Sequence, residues 1–255
     1  MKAIVTGASS GIGRDMAIYL GELGYDVILV SRDEKKLKET ASNIKTDVEI
    51  YPTDLSIKEN CLKLYDKYKD QDIDLLVNNA GFGLFGNTWE TDLDRELNMI
   101  NLNIVSLHIL TKLFLKDMVK KDKGRILNIA SAAGFLAGPG LNTYYATKNY
   151  VVKWTLAIAE ELRSIKSKAR VSCLCPGPVE TNFNKVAGGS FTTKAMSSKE
   201  VAKQGIDACL KNKLVCIPGF ITKLGLLFNR LIPGWLSLRI THTIQKKKKA
   251  GATDA

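Results

Sequence analysis

Tyr144 and Lys148 stand four residues apart in Tyr144-Tyr145-Ala146-Thr147-Lys148. On a helix this spacing puts a phenol and an ammonium on one face, where the cation can draw the phenol pKa from about 10 towards the range of a working acid–base catalyst. Tyr145 lacks the spacing. Thirteen residues before Tyr144 comes Ser131, directly after the apolar run Ile126–Ala130. Its hydroxyl can donate to a carbonyl oxygen and stabilise negative charge that develops there.

A second chemical feature opens the chain. Thr6-Gly7-Ala8-Ser9-Ser10-Gly11-Ile12-Gly13 follows the apolar run Ala3–Thr6 and leads into a helical pattern. Gly7 allows a tight turn, Gly11 lets backbone approach a pyrophosphate, and Gly13 lets the helix pack closely on the sheet. The helix N-terminus then offers N–H donors and a positive dipole to the anion.

These residues need a scaffold, and the chain spells one out. Strand-length apolar runs recur at Ala3–Thr6, Val27–Val30, Val48–Tyr51, Leu75–Asn78, Arg125–Ala130, Val171–Cys175 and Leu214–Ile217. Helical periodicity fills Arg14–Leu23, Glu34–Asn43 and Tyr144–Ser164. Strands apolar on both faces and alternating with helices predict an α/β fold: a single doubly wound domain with a seven-stranded parallel sheet. The expected division is a catalytic domain over residues 1–219, an added C-terminal apolar segment over 220–245 and a basic flexible tail over 246–255. The irregular stretch Asn182–Ser198, with Gly188-Gly189-Ser190 and Thr192-Thr193, is expected to act as a lid.

The GxxxGxG spacing of the turn, joined to Ser131, Tyr144 and Lys148 in chain order, resembles the short-chain dehydrogenase/reductase family of NAD(P)-dependent Rossmann-fold oxidoreductases, and most of all its DltE-like branch. The resemblance implies that Ser131, Tyr144 and Lys148 are catalytic and that Asn103 is the fourth member, holding a water and the Lys in a proton relay; nearby Asn101 is its rival. It also implies cofactor contacts by Gly7, Ser9, Ser10, Gly11, Ile12 and Gly13, and by Tyr144 and Lys148 themselves. Asp54 and Leu55 would meet the adenine, and Asn79, Ala80 and Gly81 would let the cofactor run close to backbone. In Cys175-Pro176-Gly177-Pro178-Val179-Glu180-Thr181, Pro176 and Gly177 would lie beside the nicotinamide, the Val179 backbone would hold its carboxamide, and the Thr181 hydroxyl would support nicotinamide or phosphate.

The end of the second strand discriminates between the two nicotinamide cofactors, since an acid there binds a ribose 2′-hydroxyl and a base accommodates a 2′-phosphate. Here it reads Ser31-Arg32, which favours NADP(H) while leaving NAD(H) possible; Asp33 is expected to cap the following helix instead. On the substrate side, Phe82, Leu84, Phe85, Phe135, Leu136, Leu141, Phe183 and Phe191 carry no charge. They suit a lipophilic ketone or aldehyde, ketoacyl or steroid-like, better than a sugar or α-keto acid. The expected function is reversible NADPH-dependent reduction of such a carbonyl to an alcohol; the alternative is a cofactor-binding redox sensor without turnover.

Composition bounds the remaining possibilities. At 255 residues, 45% hydrophobic and 25% charged, the chain is neither disordered nor collagen-like. The net charge of +11 favours anionic partners, but no basic stripe is interleaved with aromatics, and nucleic acid is not expected. Five cysteines without a CxxC pair and only His108 and His242 predict reduced thiols and no metal site. No signal peptide is expected at the N-terminus, and a cytoplasmic location follows. Family resemblance implies a homodimer or homotetramer, with Asn101–Lys116 and Tyr144–Ser164 as the contact. The stretch from Phe220 through Trp235 to Lys246-Lys247-Lys248-Lys249 has three possible destinations: the cleft, a subunit partner, or peripheral contact with a membrane.

Overall fold

A computed structural model describes residues 1–181, 183, 187, 188 and 195–250, the last four by backbone alone. Its centre is a set of parallel strands: β1 (Lys2–Thr6), β2 (Asp26–Ser31), β3 (Val48–Pro52), β4 (Leu75–Asn78), β5 (Arg125–Ile129), β6 (Arg170–Leu174) and, after a short β7 (Val179–Glu180) and β8 (Met196–Ser197), β9 (Val215–Cys216). Seven of them form one sheet in the order β3-β2-β1-β4-β5-β6-β9, while β7 and β8 pair separately at its rim. β9 is shorter than its apolar run: Val215 and Cys216 stand in register with Cys173 and Leu174 of β6, and Leu214 adds one carbonyl that accepts from the Cys173 amide.

Alternation within the strands sends side chains to two cores, as expected for a sheet covered on both faces. Ala3, Val5, Val27, Leu29, Leu75 and Val77 pack with Met16 and Leu20 of α1 (Gly11–Glu22) and with Leu37 of α2 (Glu34–Ala41). Val201 and Ile206 of a later helix close the same cluster. Ile4, Ile28, Val30, Leu76 and Ile126 face the other way. They meet Leu64 and Tyr68 of α3 (Lys58–Tyr68) and the two long helices described next.

On this second face α4 (Leu93–Ile100) runs through a π-helical turn, Asn101–Ser106, into α5 (Leu107–Lys120). The run is long and apolar enough to cross a bilayer, but its Leu110, Phe114 and Met118 are spent on the sheet core. α6 (Asn142–Ser164) lies beside it, and α7 (Ser198–Leu210) returns to the first face against α1. The chain then forms α8 (Phe220–Asn229) and α9 (Gly234–Ala250). Thr241 and Gln245 of α9 are buried, and the Gln245 amide donates to the Tyr145 hydroxyl, which brings α9 over the start of α6.

The order in which successive strands are added to the sheet reverses between the parallel neighbours β1 and β4, so loops leaving their C-terminal ends part to opposite sides and open a crevice. The loops carrying Gly7, Asn79, Ser131 and Pro176 all leave strands at that edge.

Candidate active site

The glycine turn is locked from the neighbouring strand. Gly7 has φ +65°, a left-handed conformation that favours glycine, and a Cβ there would lie 2.7 Å from Asn79 Nδ2. A Cβ on Gly13 would lie 2.4 Å from the Gly7 carbonyl oxygen, so the first turn of α1 is pressed onto the loop that precedes it. Asn79 Nδ2 donates to the carbonyls of Thr6 and Gly7 at 3.0 and 3.3 Å. Thr6 Oγ1 accepts from the amides of Asn79 and Ala80 at 2.9 and 3.0 Å. The Asn-Asn-Ala-Gly segment is thus the brace of the turn as well as a neighbour of the cavity. One residue earlier, Asn78 Nδ2 donates to Thr111 Oγ1 and Asn128 Oδ1, while Asn128 Nδ2 donates to Thr155 Oγ1. This buried network pins β4, β5, α5 and α6 at one level.

Ser131, Tyr144 and Lys148 converge across three elements. Ser131 ends β5 and caps a short 3₁₀ turn, Ala132–Phe135, its Oγ accepting from the Ala133 amide at 3.2 Å. Lys148 Nζ donates to the Ile129 carbonyl at 2.9 Å and lies 5.7 Å from the Tyr144 ring centroid. Burial drives the two titrating groups in opposite directions. Tyr144 is pushed up to about 12, with the Ser131 hydroxyl pulling the other way, and Lys148 is pulled down to about 8. The expectation that the ammonium would depress the phenol is therefore corrected: desolvation dominates, and the amine is held by Ile129 rather than by the phenolic oxygen. Both groups become easier to neutralise, so a proton placed at this pair meets little competing charge.

The structure separates Asn103 from Asn101. Asn101 is exposed, whereas Asn103 is fully buried in the π-helical turn. Asn103 Oδ1 accepts from the Phe82 amide at 3.1 Å, and its Nδ2 donates to the Phe82 carbonyl at 2.9 Å and to Thr147 Oγ1 at 3.1 Å. A Cβ on Gly81 would stand 2.7 Å from Asn103 Oδ1 and 3.6 Å from Lys148 Nζ, so Gly81 lets the loop after β4 come down onto both.

One cavity of about 900 Å³ joins these parts. It is lined by Gly7, Ser9, Ser10, Gly11, Ile12, Ser31, Arg32, Asp54, Leu55, Asn79, Ala80 and Gly81 on one arm. Ser131, Tyr144, Lys148, Pro176, Gly177, Val179 and Thr181 line the other. Gly13 and Asn103 stand behind the wall. Among the apolar residues, Phe82, Leu136, Leu141 and Phe183 line it, and the Phe183 ring packs 5.2 Å from that of Tyr144. Leu84, Phe85 and Phe135 do not. Phe85 packs on Leu141 and Tyr145, and Phe135 joins the core around Val151 and Val152, so these two are corrected from pocket to packing, while Leu84 simply lies off the cavity lining. Phe191, Gly189, Ser190, Thr192 and Thr193 of the expected lid lie outside the described residues.

At the far arm Asp33 caps α2, its carboxylate accepting from the Lys36 amide at 3.0 Å and pairing with the Lys36 ammonium at 3.2 Å; Arg32 and Lys36 are the basic residues around Ser31. Arg32 lies 3.6 Å from Asp54, an exposed pair worth at most about 1 kcal/mol and readily exchanged for a phosphate. Burial works against the charge of Asp54, yet the hydroxyl and amide of Ser56, together with Arg32, hold its carboxyl below the usual range. Sequence reasoning missed Lys36, Thr53, Asn98 and the bracing role of Thr6. Lys36 had a visible signal, one turn into the helix that Asp33 caps. Asn98 had none, because only packing brings α4 beside Asp54 and Ser56.

A nucleotide-sized cleft at the switch point of a parallel sheet, with a glycine turn at one end and a Ser-Tyr-Lys set at the other, defines a dinucleotide-dependent oxidoreductase. The short chain dehydrogenase family model matches residues 1–189, and the chain belongs to that family. The very-long-chain 3-oxoacyl-CoA reductase of Rattus norvegicus is 36% identical over 170 residues, 64% of this chain and 54% of the relative, so the match spans about half that protein's length. The Homo sapiens protein of the same name is 30% identical over 259 residues, covering 97% of this chain and 80% of the relative. Among solved structures, a short-chain dehydrogenase from Sphingobium yanoikuyae in complex with NADPH superposes with a TM-score of 0.82 at 27% identity, over 90% of this chain and 93% of that one. The protein is an NAD(P)-dependent dehydrogenase/reductase.

Proposed function

We propose that this protein reversibly reduces a lipophilic ketone or aldehyde to an alcohol with NADPH. The observation that carries the reading is the convergence of Ser131, Tyr144 and Lys148 on a cavity whose adjoining walls are Phe82, Leu136, Leu141 and Phe183. The cradle suits a dinucleotide: Gly7 and Gly11, both with positive φ, line it as bare backbone in contact with Asn79 and Thr181, and Arg32 and Lys36 flank the position where an added 2′-phosphate belongs. Similarity to proteins named as 3-oxoacyl-CoA reductases supports a ketoacyl-like substrate.

When bound, the nicotinamide supplies or accepts the hydride. The chain's residues do the rest. Ser131 donates to the substrate oxygen and stabilises its developing charge. Tyr144, at about 12, keeps its proton at neutral pH and delivers it to the alkoxide, a stronger base than the phenolate left behind. Lys148, at about 8, is largely ammonium at pH 7 and is anchored on the Ile129 carbonyl beside the Tyr144 ring. Asn103 supports the set by fixing the loop at Phe82 and the helix at Thr147. Because a redox sensor needs only the nucleotide, this acid–base set favours turnover.

We further assign a homodimer or homotetramer contact to the outer faces of α5 and α6, where His108 and Trp154 stack at 4.3 Å and Tyr150 meets His108. A cytoplasmic protein, peripheral to a membrane, is the setting that fits this reading.

The test is NADPH oxidation with a panel of apolar ketones. Tyr144→Phe is expected to lower kcat by about 10² to 10⁴ while cofactor affinity, read by NADPH fluorescence, is unchanged. Turnover that survives the substitution refutes the mechanism.

A further inference from the structure

We propose that α8 and the start of α9 form a docking surface for an anionic lipid bilayer. None of the ten residues of α8 is buried. Ile221 is 86% exposed, Leu231 77% and Trp235 59%, with Leu224, Leu227 and Phe228 also outward. So many large apolar side chains clustered on one short segment mark an interaction site. The underside of the segment is already committed. Thr222 Oγ1 lies where a Cβ on Gly177 would fall, and Thr241 and Gln245 are buried against the domain, so the outward side is the one left for a partner.

Charge selects that partner. Between Asp207 and Asp254 the chain has no Asp or Glu but nine Lys and Arg. Lys223, Arg230, Arg239 and Lys246 are exposed on or beside the apolar face, and Arg239 stacks over the Trp235 ring at 5.3 Å. An apolar face ringed by uncompensated positive charge fits acyl chains under anionic headgroups. A second copy docked on the same surface would press these cations together with no acid between them, which argues against self-association there.

Geometry sets the depth. At 1.5 Å per residue α8 is about 15 Å long, half of a hydrocarbon core, and Pro233-Gly234 breaks the path to α9. The segment therefore lies in the interface and does not span it. Docked in this way, α8 stands at the Gly177 rim of the cleft and opens the substrate entrance towards the bilayer. Delivery of a lipophilic carbonyl from the membrane rests on the reductase reading; the docking itself does not.

The experiment is co-sedimentation of the full chain with vesicles of phosphatidylcholine alone or mixed with phosphatidylglycerol, at low and high salt. Binding is expected to the mixed vesicles at low salt and to weaken as salt screens the charges. Ile221→Asp with Leu231→Asp should abolish it. Lys223→Gln, Arg230→Gln and Arg239→Gln together should weaken it about a hundredfold, at about fivefold per charge. These side chains are exposed, so both variants should keep the wild-type thermal melt and the wild-type turnover of a water-soluble ketone. Wild-type protein left in the supernatant with anionic vesicles overturns the proposal. So does a double variant that still binds vesicles but changes from oligomer to monomer, which assigns the face to a second copy. Vesicle binding without ketone turnover keeps the docking and removes the reductase reading.

Discussion

Lys148 should cost the fold stability in exchange for its place in the site, and replacing it with Met should reveal how much. A fall from 10.5 to about 8 corresponds to roughly 3 kcal/mol of added cost for holding the ammonium in the folded state, caused chiefly by burial. Met keeps the length of the side chain without the charge. Losing the 2.9 Å bond to the Ile129 carbonyl returns about 1 to 2 kcal/mol, so Lys148→Met is expected to be about 1 to 2 kcal/mol more stable than wild type at pH 7. The sign reverses the usual intuition about a buried cation with a partner. Below about pH 8 folded and unfolded chains both hold the proton and the penalty is complete. Between about 8 and 10.5 the unfolded chain keeps a proton that the folded one has shed, so wild-type stability rises with pH relative to the variant. The advantage of Lys148→Met should therefore shrink by about 2 kcal/mol between pH 7 and pH 9.5. Urea unfolding of both proteins at the two pH values measures it, and taking the difference cancels every group the two share. A stability difference that stays flat across that range would show that the ammonium is not desolvated, and the site's electrostatics would need to be rebuilt.

Two further substitutions probe the nucleotide arm. Arg32→Ala combined with Lys36→Ala should raise the KM for NADPH by tenfold or more and leave that for NADH nearly unchanged, since charge-assisted contacts to a phosphate contribute about 1.5 to 3 kcal/mol each; equal effects on both cofactors would place the 2′-phosphate elsewhere. Gly13→Ala should destabilise the protein by about 1 to 3 kcal/mol and weaken binding of either nucleotide, because the added Cβ would meet the Gly7 carbonyl at 2.4 Å; a neutral melt would mean that the turn and α1 separate more freely than their contacts imply.

What was readable in advance follows a physical division. Strands apolar on both faces belong inside a covered sheet, so β1, β2, β4, β5 and β6 were visible as continuous runs, as were the glycine turn and the Tyr144–Lys148 helix face; β3, at the sheet edge, showed only the alternation Val48, Ile50 against Glu49. β9 was overextended, since an edge strand needs partners on one side only; of its apolar flanks Ile217 packs on the core while Leu214 is exposed. The aromatic residues near the site were harder. Phe82 and Phe85 differ by three positions in one loop, yet one lines the cleft and the other packs beneath it, a difference made by the turn between them. The phenol pKa was misjudged because spacing shows which charge is near but not how dry the place is.

The sequence by itself determined the α/β class, the turn that can cradle a pyrophosphate, the acid–base pair and the uncompensated cations after Asp207, because these depend on residue type, local periodicity and composition. Only the tertiary structure decided that Asn103 is buried behind the cleft wall while Asn101 is exposed, that Asn79 braces the glycine turn and Thr6 from the neighbouring strand, and that Lys148 rests on the Ile129 carbonyl. It also decided that α9 turns Gln245 inward while α8 is left facing out. Each of these depends on which surfaces meet across long stretches of chain, and on how much water the meeting removes.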